Sequence, residues 1–246
     1  STRNFWVYVD GKGAWSATGR SAKQQAKLFD DDKEQVKLTA GIMWHKVERQ
    51  TDEMGLKAEL TTFVPYTQDK VELTKVTITN IADTTQKITS TVAIPMYARS
   101  ASNIRDHRHV TSLLHRTFTI KDGIMIYPTL TFDERGHNKN TVFYGALAKE
   151  MINGKMESPF SFCPVTEEFI GEGGNFENPY YVAKNKPLPY TEGQEVDGYE
   201  TVAAIRFNDC ELKSGESRSY VIALEYGTSK EELESIGNKY IDVDVF

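Results

Sequence analysis

The chain has 246 residues, 39% hydrophobic and 26% charged, the balance of an ordinary globular protein. Its 29 basic and 35 acidic residues leave a net charge of −6, which argues against a nucleic-acid partner, because phosphate binding needs a basic footprint. No apolar run approaches the ~20 residues of a membrane span. The two cysteines, Cys163 and Cys210, form no disulfide framework and read as reduced thiols of a cytoplasmic protein.

In chain order, Asp10-Gly11-Lys12-Gly13-Ala14-Trp15-Ser16 comes first. It resembles a phosphate loop only superficially, since such a loop needs Gly-Lys-Ser/Thr opening a helix. A tight turn that displays Trp15 is the better reading. Residues 21–28 suit a short helix, and Asp30-Asp31-Asp32 a solvated loop without the spacing of a calcium hand. His45, in Gly41-Ile42-Met43-Trp44-His45, reads as a partly buried histidine inside a strand.

Strand signals then dominate. Leu56, Ala58, Leu60, Thr62 and Val64 alternate with polar residues at a period of two. Between Val71 and Ile78 the apolar positions slip from odd to even, which predicts a bulge near Thr74-Lys75. Ile88, Val92, Ile94 and Met96 share one strand face. Asp122-Gly123 separates Phe118 and Ile120 from Ile124 and Ile126, a hairpin signal. Tyr220, Ile222, Leu224 and Tyr226 lie on one face of a late strand and Val221 and Ala223 on the other, so this strand is expected to be covered on both sides. The last element is a helix that starts at Thr228-Ser229 and carries Leu233, Ile236 and Tyr240 at helical spacing. Many short strands with almost no helix between them predict a mainly β protein, a large antiparallel two-sheet sandwich.

Two stretches stand out as candidates for chemistry. Arg105-Asp106-His107-Arg108-His109 lies between two strands. If extended, Arg105, His107 and His109 point one way and Asp106 and Arg108 the other. Such a cluster suits a structural ion-pair network, or substrate, phosphate or subunit contact through Arg forks; a metal needs more ligands than are placed here. His115 and Arg116 follow as packing or solvent-facing residues. Residues 158–198 hold five of the eight prolines with Phe169, Gly171, Asn178, Tyr180, Tyr181 and Tyr190, and a loop so long is usually functional. No Gly-x-Ser-x-Gly elbow or His-Glu-x-x-His motif occurs, and the sequence offers no complete catalytic constellation.

The order of several motifs carries a family resemblance. Leu56-Lys57-Ala58-Glu59-Leu60-Thr61-Thr62-Phe63-Val64-Pro65, then Val71-Glu72-Leu73 and Val76-Thr77-Ile78-Thr79-Asn80, resemble the N-terminal domain of glycoside hydrolase family 94. Glu168-Phe169-Ile170-Gly171 through Asn178-Pro179 resembles a further stretch of that family, and Ala203-Ala204 through Gly227 the strand pair that closes its sandwich. The resemblance implies a galactose-mutarotase-like supersandwich over residues 1–227. It also implies that residues 228–246 begin a helical linker to an (α/α)₆ barrel, which would hold the catalytic acid. The members are inverting phosphorylases of β-linked glucosides, usually dimers, that need no cofactor and take inorganic phosphate as co-substrate.

By that resemblance this segment supplies no catalytic residue and no metal site. Arg105, Asp106, His107, Arg108, His109, Trp15, Phe169, Gly171 and Asn178 would contact the β-linked glucooligosaccharide, the chain's own barrel or the partner subunit. Neither end carries a leader or a polar tail, so both read as cut ends of a longer protein. Two rival readings stand beside this one. A free-standing aldose 1-epimerase-like enzyme would use His107 or His109 as acid. A carbohydrate-binding module would use Trp15, Tyr180, Tyr181 and Tyr190 as stacking platforms.

Overall fold

The computed structural model describes residues 3–98, 112–133 and 136–242. Elements are numbered in chain order. One sheet has six strands: β1 (Asn4–Val9), β2 (Gly13–Ser16), β7 (Gln86–Met96), β14 (Ser161–Val165), β16 (Thr201–Arg206) and β17 (Cys210–Leu212). The other has ten: β3 (Val36–Gly41), β4 (Trp44–Thr51), β5 (Leu56–Phe63), β6 (Val71–Asn80), β8 (His115–Ile120), β9 (Gly123–Pro128), β12 (Phe143–Ile152), β13 (Lys155–Glu157), β15 (Glu195–Asp197) and β18 (Ser217–Gly227). A small ribbon pairs β10 (Leu130–Asp133) with β11 (Gly136–Lys139). The helices are α1 (Ala22–Ala26), α2 (Thr166–Ile170), α3 (Tyr180–Ala183) and α4 (Lys230–Ile241).

The six-stranded sheet runs β14–β16–β7–β1–β2, with β17 also on β7. The ten-stranded sheet runs β15–β8–β9–β12–β18–β6–β5–β4–β3, with β13 on β12. Neighbours pair antiparallel. The predicted large antiparallel sandwich with a C-terminal helix is the observed architecture.

Three apolar layers hold it together. Between the sheets, Phe5, Val7, Ile88, Val92, Ile94 and Ile205 pack against Leu56, Ala58, Val76, Ile78, Tyr220 and Ile222. On the outer face of the ten-stranded sheet, Leu233, Ile236 and Tyr240 of α4 cover Val71, Leu73, Leu147, Val221 and Ala223. On the outer face of the six-stranded sheet, Phe169, Val182 and Leu188 cover Trp6, Ala93, Val202 and Ala204. Each Val, Leu, Ile or Phe among them, fully withdrawn from water, contributes about 1.5–3 kcal/mol.

This layering explains the slip in β6. Its pairings with β5 and β18 run without interruption, Leu56↔Asn80 to Phe63↔Leu73 on one side and Ser217↔Thr79 to Glu225↔Val71 on the other. The expected bulge at Thr74-Lys75 is absent. Val71 and Leu73 face α4, whereas Val76 and Ile78 face the other sheet. The apolar pattern changes parity because the covered face changes along the strand. β18 is covered on both sides, as expected.

Two turns also differ in detail. In the β8–β9 hairpin Ile120 opposes Gly123, so the loop is Lys121-Asp122, with Asp122 at φ 73. Gly123 belongs to the strand, where a Cβ would come within 2.3 Å of the Ala146 carbonyl oxygen. The His45 stretch is not a continuous strand: Gly41 opposes Trp44, Ile42-Met43 is a two-residue turn, and His45 is exposed rather than partly buried. Asn80, fully buried, ties the sheets together. Its amide donates to the carbonyls of Thr84 and Leu212 at 2.8 Å and its oxygen accepts from Gln86 at 2.8 Å.

Candidate functional site

Arg105, Asp106, His107, Arg108 and His109 lie outside the described residues. The strands that flank them are placed: β7 ends in the six-stranded sheet and β8 begins in the ten-stranded one. At the foot of β8, His115 is buried, while Arg116 pairs with Asp197 at 3.3 Å and donates to the His115 carbonyl at 2.9 Å. The register puts His115, Ile126, Tyr144, Tyr226, Leu224 and Glu72 on the face turned toward the six-stranded sheet. Arg3 is ion-paired with Glu72, and the Lys70 ammonium sits 5.3 Å from the centre of the Tyr226 ring. Burial, then the neighbouring Tyr226, raises the Tyr144 hydroxyl above its ordinary value. This rim offers hydroxyls and a compensated ion pair, suited to polar contact rather than proton transfer.

Trp15 is not displayed. It is 3% exposed in β2, and its indole N–H donates to Glu34 at 2.7 Å. Phe169 is likewise fully buried beneath residues 158–198. Neither ring can stack on a sugar in this conformation. Gly171 closes α2 at φ 79, where a Cβ would lie 2.7 Å from that of Tyr180. Asn178 is exposed, and its backbone N–H donates to the Asn175 side chain at 3.0 Å. The sequence resemblance of this stretch is therefore carried by residues that roof the six-stranded sheet. Its aromatics follow suit: Tyr190 donates to Glu168 at 3.1 Å and is pushed up to about 12, first by burial and then by that carboxylate. Burial, with a smaller push from the Glu168 carboxylate and against the bond to the Val165 carbonyl, moves the Cys163 thiol up to about 12, an inert sulfur.

Sequence reasoning missed the charged groups under α4. Glu225 lies on the same strand face as Val221 and Ala223, directly opposite Gly145. Gly145 and Gly237 leave room for its carboxyl: a Cβ on either would come within about 3 Å of it. Burial raises Glu225 to about 8. Nearby, Lys149 lies 3.3 Å from Asp122 and is paired with Asp242 at the end of α4. Burial opposes its charge, but the bond to Asp242 and the two carboxylates outweigh it, so Lys149 stays charged. The signal was available in the alternation of β18, in which Glu225 is the one acid on a helix-covered face. Glu225, Asp122 and Lys149 are buried, whereas Asp242 at the helix end is half exposed. Among the described residues no cluster of three or more His, Cys, Asp or Glu side chains is arranged to hold a metal.

The described surface opens into a shallow groove of about 520 Å³ at the β3–β4 hairpin, lined by Ile42, Met43, Trp44, Thr61, Phe63, Val64 and Lys75. It carries no acid, base or nucleophile pair.

With no catalytic constellation in view among the described residues, comparison with known proteins decides the assignment. The profile of the family described as glycosyl hydrolase 94, supersandwich domain, matches residues 8–243. The chain belongs to this family. No curated protein matches it. Solved structures similar to it include a polysaccharide lyase, 11% identical with a TM-score of 0.46 over 94% of this chain and 26% of the lyase. A putative aldose 1-epimerase from Escherichia coli K12 is 7% identical with a TM-score of 0.38 over 80% of this chain and 69% of that one. An α-galactosidase from Geobacillus stearothermophilus in complex with raffinose is 12% identical with a TM-score of 0.31, over 93% of this chain and 28% of the enzyme. The chain thus spans about a quarter of the length of the lyase. No helix among the described residues is long and apolar enough to cross a membrane.

Proposed function

We propose that this family 94 supersandwich domain is the non-catalytic N-terminal part of an inverting glycoside phosphorylase. The enzyme would convert a β-linked glucooligosaccharide and inorganic phosphate to α-glucose 1-phosphate, in the cytoplasm and without a cofactor. The family match over residues 8–243 carries the reading. The chemistry agrees with it. Phosphate brings its own nucleophilic charge, so the reaction needs one carboxylic acid to protonate the glycosidic oxygen, and that acid would sit in a barrel outside this domain. The domain's part is to support the barrel and a homodimer interface. Arg105, Asp106, His107, Arg108 and His109 would reach toward the barrel or the partner's sugar cleft, where Arg forks suit phosphate and sugar hydroxyls. The test is phosphate release from α-glucose 1-phosphate by the intact parent protein when glucosyl acceptors are supplied. Release with a β-glucoside acceptor is expected; an enzyme that only interconverts free sugar anomers, or only binds glucan, would overturn the reading.

A further inference from the structure

The ten-stranded sheet ends at β3. All six residues of this strand are exposed, and its register with β4 is unbroken, without the proline or bulge that commonly blunts an open edge. In a two-residue hairpin the closing residues, here Gly41 and Trp44, exchange their backbone hydrogen bonds. Thr39 and Lys37 follow at a period of two and bond to β4 in the same way. Val36, Leu38 and Ala40 turn their N–H and C=O groups outward, toward no strand among the described residues. The side chains at this edge continue the core. Tyr220, Val76, Leu60, Val47 and Leu38 stand opposite one another in one row across β18, β6, β5, β4 and β3. Tyr220, Val76 and Leu60 are buried between the sheets, Val47 is partly buried against them, and Leu38 is 66% exposed. Val36, on the same face of β3, is 50% exposed. The apolar row thus runs out of the core into water, the mark of an interaction surface.

The sequence of β3 fits one occupant, a second β3. Antiparallel pairing about a two-fold axis sets outward-bonding residues against outward-bonding residues. Pairing Val36 with Leu38 puts the two Lys37 side chains directly opposite each other, a like-charge clash. One step further along, Leu38 meets Leu38, Val36 meets Ala40 and Lys37 meets Thr39. The apolar side chains then share the core face, and Lys37, 3.7 Å from Glu48 of its own chain, meets a hydroxyl. A further step sets Val36 against the turn at Ile42 and out of the ladder. The middle register also lays the hairpin tip, where Ile42 is 93% exposed, beside Glu34 of the second copy. Glu34 ends the loop between α1 and β3, which carries Phe29, 92% exposed.

We propose that two copies of this chain join their ten-stranded sheets antiparallel through β3, on a two-fold axis at Leu38. The interface rests on the homodimer reading above and gives it a location, and it is independent of the reaction that the enzyme runs.

Disulfide cross-linking of the intact parent protein tests it. The paired Cα atoms at Leu38 would lie ~5.5 Å apart, within the span of a disulfide. Leu38→Cys should form a covalent dimer under diamide about tenfold faster than Lys37→Cys, whose two copies stand diagonally apart, with the native chain as the background for Cys163 and Cys210. Leu38→Pro removes an outward N–H and leaves the β3–β4 ladder in place. It should shift the mass in light scattering from dimer to monomer while the far-ultraviolet spectrum is kept. Equal cross-linking of both cysteines, or a native chain that is monomeric at every concentration, would overturn the proposal. So would a dimer that survives Leu38→Pro and leaves Leu38→Cys unlinked; the homodimer reading would then stand without β3. Rapid linking of Leu38→Cys in a protein that releases no phosphate would support this interface and remove the phosphorylase reading alone.

Discussion

Glu225 shows how one residue can set a property of the whole domain. The residue is 5% exposed, its carboxyl enclosed by Gly145, Leu233 and Gly237 and pushed up to about 8 by burial. The folded state therefore holds a proton there that the unfolded chain, at an ordinary carboxylate value, has already released. Where the folded state binds more protons, stability falls as pH rises, so stability should decline from about pH 4.5 to about pH 8 and then level off. Glu225→Gln keeps the shape and removes the ionisation. Thermal unfolding followed at pH 6 and pH 8.5 should show a large difference in Tm for the native protein and a much smaller one for the variant; equal differences would contradict the assignment. Arg105 and Arg108 belong to the same scale. Replacing both with Ala in the intact enzyme should raise KM for phosphate or sugar severalfold, or shift the mass in light scattering toward monomer, as expected when charge-assisted contacts are removed. Unchanged kinetics with an unchanged mass would remove them from the site.

At the scale of elements, much of the fold was legible in the sequence where each strand is covered on one face. Leu56, Ala58 and Leu60 show β5 plainly, and Ser229 with Leu233, Ile236 and Tyr240 shows α4. Sequence reading failed where the covered face of a strand changes along its length. The parity change in β6 looks like a bulge because a period-two pattern carries no record of which layer lies above it. The structure predicts that both halves matter. Leu73→Ala, under α4, and Ile78→Ala, between the sheets, should each cost about 2–5 kcal/mol in urea unfolding, since each leaves a cavity in a packed layer. A cost below about 1 kcal/mol for either would mean that its face is not packed. Residues 158–198 show a side of their role that composition does not carry. Prolines, glycines and aromatics suit a binding loop, and the structure adds that Phe169, Val182 and Leu188 turn inward on the six-stranded sheet. Burial of Trp15 was equally hidden, because its partner Glu34 lies beyond the strand that carries it.

At the scale of the molecule, the layered sandwich forms a rigid platform. The described residues present no acid–base pair in an open cleft; Glu225 is buried, and Asp122, also buried, lies 3.3 Å from Lys149. The proposed contribution of such a domain to catalysis is through what it holds in place, and what is shown is its membership of family 94. The candidate site was only partly legible: the arginine–histidine cluster could be named from sequence, but the acid it would serve lies elsewhere in the proposed enzyme. The proposed role of this platform is to serve a phosphorylase. The most direct measurement incubates the intact parent protein with α-glucose 1-phosphate and a panel of glucosyl acceptors and follows inorganic phosphate. Phosphate release with at least one acceptor and a β-linked product is expected. No release with any acceptor, from a folded protein that does bind glucan, would contradict it.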